Sequence, residues 1–217
     1  RRSLSPVEAV KGYVKHYKDD LDELQTSLDN ITGACENLRN DDLIQILYPL
    51  TEKYINMRGH NQSILKCLDL AIDVAKKKPV MWGKELHFFY SKRGNAYVDT
   101  GEFAKAIESY KNAIAVLEHV SENDVNHPNR TIVLNAVIGK TLALQGEFDA
   151  AEAFFNTGKT LLAEYPDERT KCHLLENLSH ALALRANAEK KAFLNVFPEN
   201  MSSLGNILNL FERCRVV

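Results

Sequence analysis

"RGNAYVDTGEFAKAIESYKNAI" (residues 93–114) and "IGKTLALQGEFDAAEAFFNTGK" (residues 138–159) align without a gap at an offset of 45 residues. Gly94 meets Gly139, Gly101-Glu102-Phe103 meets Gly146-Glu147-Phe148, Ala106 meets Ala151, and Tyr110 meets Phe155. Each copy holds two helical patterns separated by Gly-Glu-Phe. Self-similarity at a fixed period of this size marks a stack of helical hairpins. The residue types fit close packing: small residues let paired backbones approach, and aromatics fill the space between hairpins.

Outward from this pair, helical patterns recur in twos: about 41–58 with 61–77, 80–100 with 103–119, and 129–145 with 148–164. A further helix runs from about Asp167 into the 190s, and a last one lies near 199–213 with Leu204, Ile207, Leu208, Leu210 and Phe211 on one stripe. Breaks fall at Gly59-His60, Pro79, Gly101, Asn126-His127-Pro128, Gly146, Pro166 and Pro198. Nothing reads as a strand, so the expected fold is all-α, an α-hairpin solenoid. Lys76-Lys77-Lys78 stands directly before Pro79 and reads as a helix end complementing the macrodipole.

At the N-terminus, Ser5-Pro6-Val7-Glu8 has the form of a capping box with Pro at the first helical position. Val7, Val10, Val14, Tyr17, Leu21, Leu24, Leu28, Ile31, Cys35 and Leu38 then alternate spacings of three and four. That predicts a long heptad helix with one narrow seam, which Gly33 could end early. The flanking positions offer few complementary charges, so packing inside the chain ranks ahead of a homodimer through residues 7–38. The expected units are the long helix at 1–40, the array at 41–197 and a C-terminal helix at 198–217.

Gly-Lys-Thr, the end of a phosphate-binding loop, occurs at 139–141 and again at 158–160. A P-loop needs a Gly five residues earlier and a strand leading in. Leu134 and Ala153 occupy those places, and both tripeptides sit inside helical patterns. Helix packing accounts for both glycines, and a nucleotide site is rejected.

The repeat resembles the tetratricopeptide family. That family's small, large, Gly, aromatic, small, aromatic and Ala signature is filled by Gly94, Tyr97, Gly101, Phe103, Ala106, Tyr110 and Ala113. The likeness is clear over 87–165, degenerate over 41–78 and 167–197, and its period here exceeds the usual repeat of about 34 residues. The resemblance implies a concave groove lined by the first helix of each hairpin. Its matching positions are Ile46, Pro49, Lys53, Asn56 and Met57, then Phe88, Ser91, Asn95, Val98 and Asp99, then Val133, Ala136, Lys140, Ala143 and Leu144. Lys53, Asn56, Met57, Phe88, Ser91, Asn95, Asp99, Val133 and Lys140 are the expected partner contacts. One arm of the family clamps two carboxylates. Asn95 matches that clamp, but Ser91 stands where it has Lys and Val137 where it has a second Asn.

Composition agrees with such a domain. The chain has 217 residues, is 45% hydrophobic and carries a net charge of −2, too little positive field for direct nucleic-acid binding. No apolar run approaches a membrane span. Cys35, Cys67, Cys172 and Cys214 are scattered, as suits a reducing cytoplasm or nucleus. The seven histidines form no close metal set, although His173 and His180 share a helix, and no catalytic motif or cofactor site is recognised. The chain opens without an initiator Met and is expected to be a fragment. The expected function is a non-enzymatic scaffold or adaptor that binds a peptide or helix of a protein partner. The alternative is a ligand- or peptide-sensing regulatory domain of a larger ATPase or transcription regulator.

Overall fold

The computed structural model describes residues 5–16, 27, 30–31, 33–35, 38, 40–54, 61–120 and 127–196. Every regular element among the described residues is helical. In chain order the bounded helices are α1 (Pro6–His16), α2 (Asp41–Tyr54), α3 (Asn61–Lys76) and α4 (Pro79–Asp99). They continue with α5 (Phe103–Val120), α6 (His127–Gln145), α7 (Phe148–Glu164) and α8 (Glu168–Val196). The chain is an all-α helical-repeat solenoid. α4 packs on α5 and α6 on α7 as hairpins, α3 lies against α4, α5 against α6, and α8 against α6 and α7.

The two Gly-Glu-Phe turns explain why each pair closes the same way. Gly101 and Gly146 have φ of 77° and 85°, the left-handed region that lets a helix stop and its chain reverse. At the first turn Glu102 N–H donates to Tyr97 C=O at 2.8 Å and Gly101 N–H to Val98 C=O at 3.0 Å. Glu147 to Leu142 and Gly146 to Ala143 repeat the pattern at 3.0 and 3.1 Å. Both are Schellman closures, which satisfy carbonyls that the helix end would otherwise leave open.

Behind each turn the helices close on the small residues. A Cβ at Gly94 would stand 2.4 Å from the Tyr110 ring, and one at Gly139 2.8 Å from the Phe155 ring. Gly158 faces Leu174 of α8 in the same manner, at 3.1 Å. Both Gly-Lys-Thr tripeptides therefore lie within helices, their glycines at packing contacts. Ala106, Tyr110, Ala113, Ile132, Ala136, Ile138, Ala151, Phe155 and Leu174 are all buried in the core that runs through these hairpins. Burial also pushes the Tyr110 phenol well above its ordinary pKa, so it stays a donor, here to Asn95 Oδ1 at 2.7 Å.

Toward the N-terminus the array is tied by polar contacts. The Ser5–Glu8 capping box forms, with Ser5 N–H to Glu8 Oε2 at 2.8 Å and Glu8 N–H to Ser5 Oγ at 3.2 Å. Lys11 pairs with Asp42, joining α1 to the start of α2. Asp41 in turn accepts from Lys78 Nζ at 2.6 Å and Trp82 Nε1 at 3.1 Å, where α4 begins and kinks at Trp82. Arg93 on α4 bridges its neighbours, reaching Asp69 of α3 at 2.9 Å and Ser109 of α5 at 3.1 Å.

The single long heptad helix is corrected. Tyr13 Oη lies 2.6 Å from Ser27 Oγ. Fourteen residues on one straight helix would separate them by about 21 Å. Tyr13 and Ser27 therefore do not stand on one straight helix, and the seam is shared between α1 and helical residues that include Ile31 and Cys35. Val14, Ile31 and Cys35 are all buried inside the one chain. The seam residues Tyr17, Leu21, Leu24 and Leu28 lie outside the described residues, as does the expected helix at 199–213.

Candidate functional site

The first helices of two successive hairpins, α4 and α6, together with α8 border one open cleft of about 700 Å³. α4 contributes His87, Phe88, Ser91 and Lys92, the start of α6 contributes Asn129, Arg130, Val133 and Leu134, and the first turns of α8 contribute Asp167, Arg169, Thr170 and His173. Its size falls within the usual range for ligand-binding clefts.

The apolar part is built from α2 and α4. Tyr48 packs edge-on against Phe88 at 5.1 Å between ring centroids and against Phe89 at 6.4 Å. Phe89 is fully buried and fixes α4 to the core, while Phe88 is only partly covered and reaches the cleft. Lys92, one turn further along α4, carries its ammonium 5.1 Å from the Phe88 ring centre, a cation–π contact that holds charge beside an apolar surface.

The polar part comes from the helix starts. Asp167 caps α8 by accepting the Thr170 N–H at 2.8 Å. The hydrogen bonds from Thr170, hydroxyl and then backbone, hold the Asp167 carboxyl below its ordinary pKa, so it is ionised. The described lining also holds three permanent cations, Lys92, Arg130 and Arg169. Asn129 Oδ1 is buried with no hydrogen-bond partner among the described residues, at the α6 side of the cleft.

The expected contacts divide. Phe88, Ser91 and Val133 come together in the cleft. Asn95 accepts a hydrogen bond from Tyr110 of α5, Asp99 is exposed at the end of α4, and Lys140 is half-buried on α6, and none of the three is among the cleft residues. Ile46, Ala136 and Ala143, also at positions matched to the groove, are core residues at 1%, 0% and 3% exposure, which corrects their expected place. Asn56 and Met57 lie outside the described residues, as does the side chain of Lys53. The sequence signature pointed to the middle of each first helix. It missed Arg130, Arg169 and His173, which stand at helix starts or on α8, where the signature is absent.

A smaller depression of about 200 Å³ lies between α7 and α8, lined by Phe148, Phe155, Leu178 and Leu182 with Arg185 at its edge. Arg185 is occupied by Glu189 at 3.0 Å and faces Glu152 at 3.8 Å. Among the described residues no three His, Cys, Asp or Glu side chains gather as a metal set. No described helix is long and apolar enough to cross a membrane.

Residues 89–116, which span the end of the cleft-forming stretch of α4, the first Gly-Glu-Phe turn and most of α5, match the family model of the tetratricopeptide repeat. Comparison with curated proteins and with solved structures returned no match. The matched repeat is generally a non-catalytic element of protein–protein interaction, and protein partners are what it implies.

Proposed function

We propose that this chain is a non-enzymatic interaction domain, a scaffold or adaptor that receives a peptide or short helix of a partner protein in the cleft between α4, α6 and α8. The observation that carries this reading is the cleft itself: a partly exposed Phe88 supported from behind by Tyr48 and Phe89, beside Ser91, Lys92 and Val133. A supported aromatic next to polar groups is the arrangement that gives peptide grooves their anchor and their orientation. Residues 41–197 form the array in this reading, with residues 1–40 packed on its first end and 198–217 as a C-terminal element. The buried Cys35 thiol goes with a reducing compartment, cytoplasm or nucleus, in this reading. Self-association through residues 7–38 is not part of the proposal, because one chain already covers Val14, Ile31 and Cys35. Direct nucleic-acid binding is left out on the overall charge of −2.

The test is a peptide array probed with the full chain, followed by titration of the best sequences. Binding to an apolar-anchored peptide that weakens about tenfold in Phe88→Ala, with the melting curve unchanged, supports the reading. Binding indifferent to Phe88→Ala, or no binding at all, removes it.

A further inference from the structure

We propose that residues 199–213 of this chain return along α8 and fill the apolar depression between α7 and α8. The inference concerns a different face from the cleft and does not depend on what the cleft holds. It starts from an unfinished hairpin. α4 and α6 each carry a second helix, α5 and α7, joined to them through a Gly-Glu-Phe turn. α8 comes next in the chain, packed on α6 and α7, and no helix follows it among the described residues. The face left to such a helix is apolar and open. Leu175 and Leu182, seven residues apart and so on one side of α8, are 52% and 57% exposed. Leu178, partly buried between them, forms with Leu182 one wall of the depression of about 200 Å³. Phe148 and Phe155 of α7 form the other wall. Two leucines so exposed beside an apolar hollow keep area in water that a covering helix removes.

The sequence beyond α8 supplies the occupant. Leu204, Ile207, Leu208 and Phe211 follow the spacing of a single helix face. Pro198 stands two residues past the end of α8, a break after which the chain can reverse. The reach agrees as well. From Val196 back to Leu182 is about 14 residues, roughly 21 Å of helix, and as many residues forward from Pro198 arrive between Phe211 and Arg213. Charge is complementary at that level. Arg185, at the edge of the depression, faces Asp149 at 4.0 Å, Glu152 at 3.8 Å and Glu189 at 3.0 Å. Arg213 and Arg215 bring positive charge to that acidic rim. A second copy, or a partner helix with the same stripe, is a competing occupant. The chain's own segment has the advantage of its tether, an effective concentration on the order of millimolar.

The experiment is photo-cross-linking of the full 217-residue chain carrying Leu182→benzoylphenylalanine, with the linked peptides read by mass spectrometry. Mixing isotope-labelled and unlabelled chains separates links within a chain from links between chains. The expected result is a link within one chain to residues 204–213, at a yield independent of protein concentration. Leu208→Asp with Phe211→Asp should cut that yield about tenfold, because it sets carboxylates against an apolar hollow. Arg213→Glu with Arg215→Glu should cut it about threefold, and less as salt is raised. If the probe at Leu182 disturbs the fold, Lys159→benzoylphenylalanine, exposed on the α7 side of the same depression, carries the same comparison. Links between chains that grow with concentration overturn the proposal in favour of a second copy. Links confined to α7, no links, or a yield unchanged by Leu208→Asp with Phe211→Asp overturn it as well. None of these failures bears on the peptide reading of the cleft, which the Phe88→Ala titration tests separately.

Discussion

Gly94, Gly139 and Gly158 each face a neighbouring helix in this array, and their surroundings set different costs for one added methyl group. At Gly94 and Gly139 the new Cβ would meet the rings of Tyr110 and Phe155, each only 2% exposed and held on all sides. Gly139 also has the Ala151 carbonyl oxygen 3.1 Å away, and that backbone cannot move without its helix. Gly94→Ala and Gly139→Ala should each lose about 1–3 kcal/mol through overpacking, read as a lower urea midpoint at unchanged m-value. At Gly158 the nearest atom is a Leu174 methyl at 3.1 Å, the mobile end of a side chain. There the gain in helix propensity, about 1 kcal/mol, offsets the contact, and Gly158→Ala should fall within about 1 kcal/mol of the parent. A Gly139→Ala chain as stable as the Gly158→Ala chain would sink this packing account. The same residue-scale logic applies to Cys35, whose thiol burial raises from 9.0 to about 12, with nearby Cys67 adding to the shift. Because the folded state holds that proton more tightly, this contribution to stability is complete below pH 9 and lost as pH rises toward 12. Iodoacetamide at mildly alkaline pH should therefore modify exposed Cys172 in the native chain and reach Cys35 only on unfolding, as mass spectrometry of the peptides will read.

At the scale of the element, the repeated hairpin is the part that the sequence made plain, because a repeat states its packing rule more than once. Gly94 with Tyr110 and Gly139 with Phe155 were visible as aligned pairs before any coordinates, and the contacts follow. The turns carry the same redundancy. Gly101→Ala and Gly146→Ala force a side chain into left-handed backbone, and each should cost about 1 kcal/mol, measured by thermal unfolding. Neither position has an atom near an added Cβ, so a neutral result would mean that the turn relaxes out of the left-handed region. The cleft was half legible. Phe88, Ser91 and Val133 were expected from the register of the first helices. Arg130 and Arg169 were not, because they lie before the signature positions or on α8, which has lost the signature. The break in the N-terminal helix was illegible for a different reason. A spacing of three and four describes the buried stripe of one long helix and of two short helices sharing a core equally well. Only the Tyr13–Ser27 contact distinguishes them.

For the whole molecule, that break decides what the heptad stripe does. A solenoid must cover the apolar side of its end helices or leave it to another chain. Here Val14, Ile31 and Cys35 are at 2%, 3% and 0% exposure within one chain, in the same core as Leu43, Leu47 and Leu68 of α2 and α3. Lys11 with Asp42, and Asp41 with Lys78 and Trp82, continue the connection from α1 through α2 to α4. We therefore propose the N-terminal segment as an end cap, with little apolar stripe left among its described residues for a partner copy. The chain should sediment as a monomer over a wide concentration range. Val14→Asp tests the cap directly, since it places an unpaired carboxylate at a site with no access to water and should cost about 2–5 kcal/mol. For a chain of this length that corresponds to a fall in Tm of roughly 10 °C. A parent that dimerises, together with a Val14→Asp variant that stays folded and monomeric, would return the seam to the role of an interface between copies. A monomeric parent with a strongly destabilised variant leaves the cleft between α4, α6 and α8 as the surface through which the array meets its partner.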